Sequence, residues 1–268
     1  MLGMIPSDAA LLGLQAGVVA APRRAGPRLT GALQCVSGRG WALIPAASVV
    51  GVIFLLRDAT SSAGFLTWLA LIAVPLLAAV ALGWLMHGAR WWLVPLAAGL
   101  FLLAWRTPDS LWGQGAGALL TALSCVTLGV LLAAVTPPVW LMLGIVAMAG
   151  VDTWLVASDL LQSPNDVLVA AAPGHGLPQL QSETFGSMNL GYGDLFVAAL
   201  LGSVWARRFD SQRTAAAVTL VIAALFDLLF FAVPELPATV PVALALVVLE
   251  LSALRGRSRP AVETPPPG

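Results

Sequence analysis

The sequence has little charge and few reactive side chains. Only 10% of its 268 residues are charged, lysine is absent, and there are two histidines and two cysteines. Soluble domains carry about 25% charged residues, so a water-soluble globular domain is excluded. Cys35 and Cys125 lie far apart, which argues against a disulfide framework or a clustered metal site. The net charge is zero, so there is no overall basic field for nucleic acid. We therefore expect no cofactor, metal ion or nucleic-acid partner.

Apolar residues dominate instead, at 59% of the chain with a mean hydropathy of +0.91. Several uniformly apolar runs approach the roughly 20 residues that cross a bilayer as a helix. Membrane β-barrels would show alternating polarity. The composition predicts an all-α, multi-pass membrane protein. The runs give eight predicted helices, at 41–56, 64–86, 91–105, 115–135, 138–157, 185–205, 214–233 and 236–254. A weaker run at 9–21 is either a ninth span or, as its length favours, an interfacial helix.

The arginines predict the orientation. With eight helices, eleven of the thirteen fall on one side, which the positive-inside rule makes cytoplasmic. They are Arg23, Arg24, Arg28, Arg39, Arg90, Arg207, Arg208, Arg213, Arg255, Arg257 and Arg259. We expect an inner or plasma membrane protein with a cytoplasmic C-terminus and an outward loop at 158–184. The predicted organisation is an N-terminal segment (1–40), N-terminal membrane helices (41–137), a functional helical region (138–254) and a disordered tail (255–268).

Three aspartates fall well inside predicted spans, where ionisable groups are costly and usually functional. They are Asp152, Asp194 and Asp227; Glu250 lies near a helix end and is expected to reach the interface. Asp152 and Asp194 lie about 8 and 14 Å below the outer ends of consecutive antiparallel helices. They are therefore expected to face each other and to share a proton, as the carboxyls of aspartic proteases do. An ion or proton path and a structural role remain open alternatives.

Three pieces of sequence, in order, resemble the presenilin and signal peptide peptidase family of intramembrane aspartyl proteases. They are the aspartate in "GVDTWLV" at 150–156, "GYGD" at 191–194 on the next helix, and "PELPATVP" at 234–241, which is similar to the family's Pro-Ala-Leu motif. The resemblance runs from about 138 to 254. It differs from the family in Val151, where tyrosine is usual, and in Glu235, where alanine is usual.

The resemblance implies a helical presenilin-like fold of eight or nine spans. It makes Asp152 and Asp194 the catalytic pair, and transmembrane helices or signal-peptide remnants the substrates. The expected substrate-binding residues are Gly191, Tyr192, Gly193, Pro234, Leu236 and Pro237. The outward loop, with His175, would lie where substrate binds and is extended.

Three alternative functions follow from the same residues. "SMNLGYGD" is also similar to a potassium-channel filter, with "PQLQSETFGSM" as its pore helix. Only twelve residues separate Asp194 from Arg207, however, and as helix they span about 18 Å, too little for an inner pore helix. A proton-coupled transporter would use the same acids but often shows internal repeats, and none is evident. A catalytically inactive, presenilin-like binding protein is the third alternative.

Overall fold

The bundle is built around one long helix, Leu111–Val135, which packs against helices from both halves of the chain. The protein is described by a computed structural model for residues 4–33, 35, 37–43, 47, 51, 60–158, 176–180, 182–186, 188–208, 211–231 and 236–257. The described helices are α1 (Met4–Ala20), α2 (Pro27–Leu33), α3 (Thr60–Val80), α4 (Val94–Arg106), α5 (Leu111–Val135), α6 (Pro138–Ala157), α7 (Tyr192–Arg208), α8 (Gln212–Asp227) and α9 (Thr239–Arg257). Short 3-10 turns lie at Arg39–Leu43, Trp91–Leu93 and Leu228–Phe231, and a π-helical turn at Ala81–Leu85 extends α3.

Small residues let the central helices approach closely. Gly129 of α5 lies so near α7 that an added Cβ would stand 2.9 Å from the backbone of Ala199. On the other side of α7, a Cβ at Gly202 would meet the carbonyl oxygen of Val19 in α1 at 2.2 Å. Membrane helices associate through such contacts because lipid gives no hydrophobic drive for helix pairing. Helix α7 is consequently buried along most of its length, between α5 and α1.

The outer helices expose large apolar side chains instead of hiding them. Phe65, Leu76 and Leu225 are each more than 60% exposed. Three segments among the described residues, Gly64–Leu85, Leu111–Val135 and Pro138–Ala157, are long and apolar enough to cross a bilayer. Apolar exteriors on apolar helices are what a lipid surrounding requires. The predicted fold class is thus confirmed at the level of an α-helical, membrane-associated protein.

One predicted helix was wrong at its start. Residues expected to open a helix at 185 form instead an antiparallel β-hairpin, β1 (Ser182–Phe185) paired with β2 (Met188–Gly191). Helix α7 begins only at Tyr192, so Asp194 is its third residue and lies at its end rather than in its middle. The expected depth of Asp194 is corrected accordingly. Gly186 has φ +63°, the left-handed conformation that tight two-residue hairpin turns require.

Three further predictions concern Asp227, the segments outside the described residues, and the run at 9–21. Helix α8 ends at Asp227, but the 3-10 turn Leu228–Phe231 follows it directly, so Asp227 lies within a continuous helical segment as predicted. The predicted helix at 41–56, most of the loop with His175, and the tail beyond Arg257 fall largely outside the described residues. The weak run at 9–21 is a 17-residue helix, α1, whose Val18 and Val19 join the bundle core.

Candidate active site

Asp152 lies on α6 and is held by the first residue of α9. Its Oδ2 accepts hydrogen bonds from the Thr239 hydroxyl at 2.5 Å and from the Thr239 backbone N–H at 3.4 Å. Thr239 is only 1% exposed. The unpaired N–H groups and the dipole of a helix N-terminus favour a negative charge. The start of α9 therefore provides two donors to the Asp152 carboxylate.

Asp194 lies at the start of α7, directly after the hairpin. Its Oδ2 accepts a hydrogen bond from the Gly191 backbone N–H at 3.0 Å. This is one half of a capping box, in which an acidic residue in the first turn reaches back to the residue before the helix. Gly191 also gives this carboxylate room, since an added Cβ would approach Oδ2 to 3.0 Å. A capping role alone would account for Asp194 if no second acid lay near it.

The second acid does lie near it, because α6 and α7 pack together at this level. A Cβ at Gly193 would touch the methyl carbon of Met148 at 3.4 Å. Met148 precedes Asp152 by four residues and so shares its face of α6. The carboxylates of Asp152 and Asp194 are close enough to interact electrostatically. In the described part of the chain, neither forms an ion pair.

Comparisons of the chain with protein-family models, with curated proteins and with solved structures found no match. The resemblance therefore rests on the residues themselves.

Tyr192 is directed into the bundle by α5. Its hydroxyl lies 2.9 Å from Ser124 Oγ, and Ser124 in turn lies 2.8 Å from the Thr121 carbonyl oxygen. Since the Ser124 hydrogen goes to that carbonyl, Tyr192 is the donor to Ser124. The Cys125 thiol also donates to the Tyr192 carbonyl oxygen at 3.7 Å. Both ends of Tyr192 thus fix the start of α7 against α5.

The segment before α9 reaches the site through its backbone. Leu236 and Pro237 are half-buried, and the Pro237 carbonyl oxygen accepts a hydrogen bond from Val240 N–H at 3.2 Å, which turns the chain into α9. Gln15 of α1 donates to the Ala238 carbonyl oxygen at 3.2 Å. Pro234 and Glu235 lie outside the described residues. The segment therefore places Thr239 on Asp152 and is itself held by α1.

Two contributors were missed from the sequence. Thr239 and Gln15 both belong to apolar surroundings, and Thr239 was read only as part of a proline-rich motif. A threonine at the start of an apolar run is a helix-start signal, and it could have identified Thr239 as a residue beside the pair. Nothing local marks Gln15, because its partner lies 223 residues away.

Asp227 does not join this pair but faces another acid. The side chain of Asp8, near the start of α1, lies close enough to Asp227 for the two carboxyls to interact electrostatically. Asp227 Oδ2 is buried and has no hydrogen-bond partner among the described residues. Helices α1 and α8 pack extensively along each other. Within the described residues no three potential metal ligands cluster, at either pair or elsewhere.

Proposed function

We propose that the protein is an intramembrane aspartyl protease in which Asp152 and Asp194 are the catalytic pair. The observation that carries this proposal is that two carboxylates from consecutive helices lie near enough to interact electrostatically, and neither has an ion-pair partner among the described residues. Two acids at short range hold one proton between them, because they cannot both be charged. One member is then a base and the other an acid, which is what hydrolysis of a peptide bond needs.

The hydrogen bonds support different roles for the two acids. Asp152 accepts two hydrogen bonds at a helix N-terminus, and Asp194 accepts one. Donors to a carboxylate favour its ionised form, so Asp152 is the base. Asp152 takes a proton from water as the water oxygen bonds to the scissile carbonyl carbon, and Asp194 donates its proton to the carbonyl oxygen. When the C–N bond breaks, Asp152 returns its proton to the leaving nitrogen and Asp194 regains one from the diol.

The hairpin suits an unwound substrate. It carries extended backbone as far as Gly191, three residues before Asp194. No third strand among the described residues pairs with either strand. A substrate segment that leaves its helix would satisfy its backbone groups by adding to such an edge. We therefore propose single-span helices or signal-peptide remnants as substrates, in agreement with the resemblance.

The segment that would be the pore helix of a potassium channel is not helical. Residues 182–185, in the middle of "PQLQSETFGSM", are a strand, and Tyr192 already belongs to α7. A filter needs the Gly-Tyr-Gly backbone as an extended loop with its carbonyls on the ion path.

A proton-coupled transporter is the second candidate, and the proximity of the acids Asp8 and Asp227 favours it. Chains of membrane carboxyls serve as proton relays in pumps and transporters. Under this alternative, protein in liposomes would carry protons in response to a solute gradient without cleaving any reporter.

The deciding experiment is cleavage of single-span reporters in both orientations by the protein in liposomes. We expect cleavage by wild type, and none by Asp152→Asn or Asp194→Asn, because each variant lacks one half of the acid–base pair. Glu250→Gln is the control, since Glu250 pairs with Arg208 away from the site. Activity retained by either aspartate variant would contradict the proposal.

A further inference from the structure

A cavity lined by arginines lies at the opposite end of α7 from the acids. Its volume is about 510 Å³. Its walls come from the chain that links α1 to α2, from α2 itself and from the last turn of α7. The lining residues are Arg23, Arg24, Ala25, Gly26, Pro27, Thr30 and Arg207. Three arginines therefore line one space.

Arg207 is fixed in place by the end of α5. Its NH1 group donates to the carbonyl oxygens of Ala133 and Thr136, the latter at 3.0 Å. Both carbonyls lie at the helix C-terminus, where backbone acceptors lack helical partners. The anchoring uses one nitrogen of the guanidinium, and no acceptor among the described residues takes the other two. Arg207 is thus half-buried and oriented, unlike an arginine that extends into water.

Arg24 and Arg207 lie near enough for their charges to repel each other. Among the described residues, no acidic side chain lines the cavity to balance this charge. The ion pair found in the described part of the chain, Arg208 with Glu250, lies elsewhere. Thr30 contributes no donor, because its hydroxyl already donates to the carbonyl oxygens of Gly26 and Pro27.

We propose that this cavity binds the phosphate group of an anionic phospholipid. Guanidinium groups bind phosphate by paired, charge-assisted hydrogen bonds. The cavity lies at the end of the bundle that the arginine distribution makes cytoplasmic, at headgroup level, and basic pockets there recognise lipid headgroups. Ala25, Gly26 and Pro27 add apolar surface for the glycerol backbone. The site is about one helix length from the aspartates and does not depend on proteolysis.

The test is ligand-dependent thermal stability of the full chain, purified in an uncharged detergent with its lipids removed. The ligands are dihexanoyl phosphatidylglycerol, dihexanoyl phosphatidylcholine and inorganic phosphate. We expect phosphatidylglycerol to raise the Tm of wild type, phosphatidylcholine to raise it little, and phosphate to act only at much higher concentration. Losing one charged donor should weaken phosphatidylglycerol binding roughly tenfold or more in Arg24→Gln.

Two variants separate binding from folding. Arg24→Gln removes no hydrogen bond within the described residues and relieves repulsion with Arg207, so without lipid its Tm should equal or exceed that of wild type. Arg213→Gln, an exposed arginine on the same side but outside the cavity, is the matched control and should bind like wild type. Equal phosphatidylglycerol affinity in Arg24→Gln and wild type would overturn the proposal. So would inorganic phosphate binding as tightly as the lipid.

Discussion

At the scale of single residues, Thr239 links the segment after Pro237 to Asp152 of the candidate active site. It is the residue whose hydroxyl and N–H both reach Asp152 Oδ2. Its position at the first residue of α9 means that any shift of this helix changes the support of the carboxylate. Thr239 is a positioning residue under the proposed function, since it acts through Asp152 and not on the substrate.

Replacing Thr239 tests this role with a matched pair. Thr239→Val keeps the shape but loses the hydroxyl, whereas Thr239→Ser keeps the hydroxyl. A hydrogen bond to a charged group contributes about 1.5–3 kcal/mol, so kcat for reporter cleavage should fall roughly 10- to 100-fold in the valine variant. KM should change little, and Thr239→Ser should retain most activity. Equal rates for both variants would remove Thr239 from the site.

Asp227 is the residue for which sequence and structure suggest different roles. It was expected among the intramembrane acids, yet it interacts electrostatically with Asp8 rather than with the Asp152–Asp194 pair. Asp227→Asn removes one of two neighbouring carboxyls, so at neutral pH the Tm should not fall, and the free energy of unfolding should rise by up to about 1 kcal/mol. Cleavage should stay within about threefold of wild type. A loss as complete as that of Asp152→Asn would instead place Asp227 in catalysis.

At the scale of elements, the β-hairpin before α7 is the feature that the sequence did not predict. The pattern of Asp152 and "GYGD" was enough to predict which two helices carry the acids and that they are neighbours. The apolar run from Phe185 to Ala206 hid the break at Tyr192, because a short apolar strand and a buried helix segment look alike by periodicity. Gly186 was the local turn signal. The contacts of Thr239 with Asp152, and of Gln15 with Ala238, could not be predicted, because tertiary packing alone brings these residues together.

The hairpin turn is held between α5 and α1. Gly186 N–H donates to Gln114 Oε1 at 2.8 Å, and an added Cβ would stand 2.2 Å from Ser7 Oγ. Gly186→Ala should therefore cost more than the roughly 1–2 kcal/mol of left-handed strain alone. Gly176→Ala is the matched control, because Gly176 has φ +68° but nothing within 4 Å.

We expect a lower Tm and slower reporter cleavage for Gly186→Ala than for Gly176→Ala. The difference reports the fit of α1 against the turn that precedes Asp194. Ser7→Gly should restore part of the loss by removing the side chain that the new methyl group meets. Equal effects of the two alanine substitutions would show that the hairpin turn does not depend on α1.

At the scale of the whole molecule, the two ends of the bundle have opposite character. The acids and the hairpin lie toward one end of α7, and Arg207 and Arg208 lie at the other. Helix α1 has the same polarity, with Asp8 near its start and Arg23 and Arg24 after its end. Its backbone is also tied to the π-helical turn after α3, where Arg23 N–H donates to the Leu85 carbonyl oxygen at 2.8 Å.

This polarity predicts that α1 crosses the membrane, which makes nine spans with the N-terminus outside. The 17 residues of α1 span about 25 Å, close to the hydrocarbon thickness. Single cysteines at position 2, Ser158 and Arg255 in a Cys35→Ser background would be labelled with a membrane-impermeant maleimide. Cys125 is buried and can stay. Positions 2 and 158 should react from outside in intact cells, and position 255 only after the membrane is opened. A cysteine at position 2 that reacts only from the cytoplasmic side would make α1 an interfacial helix, and eight spans would then remain.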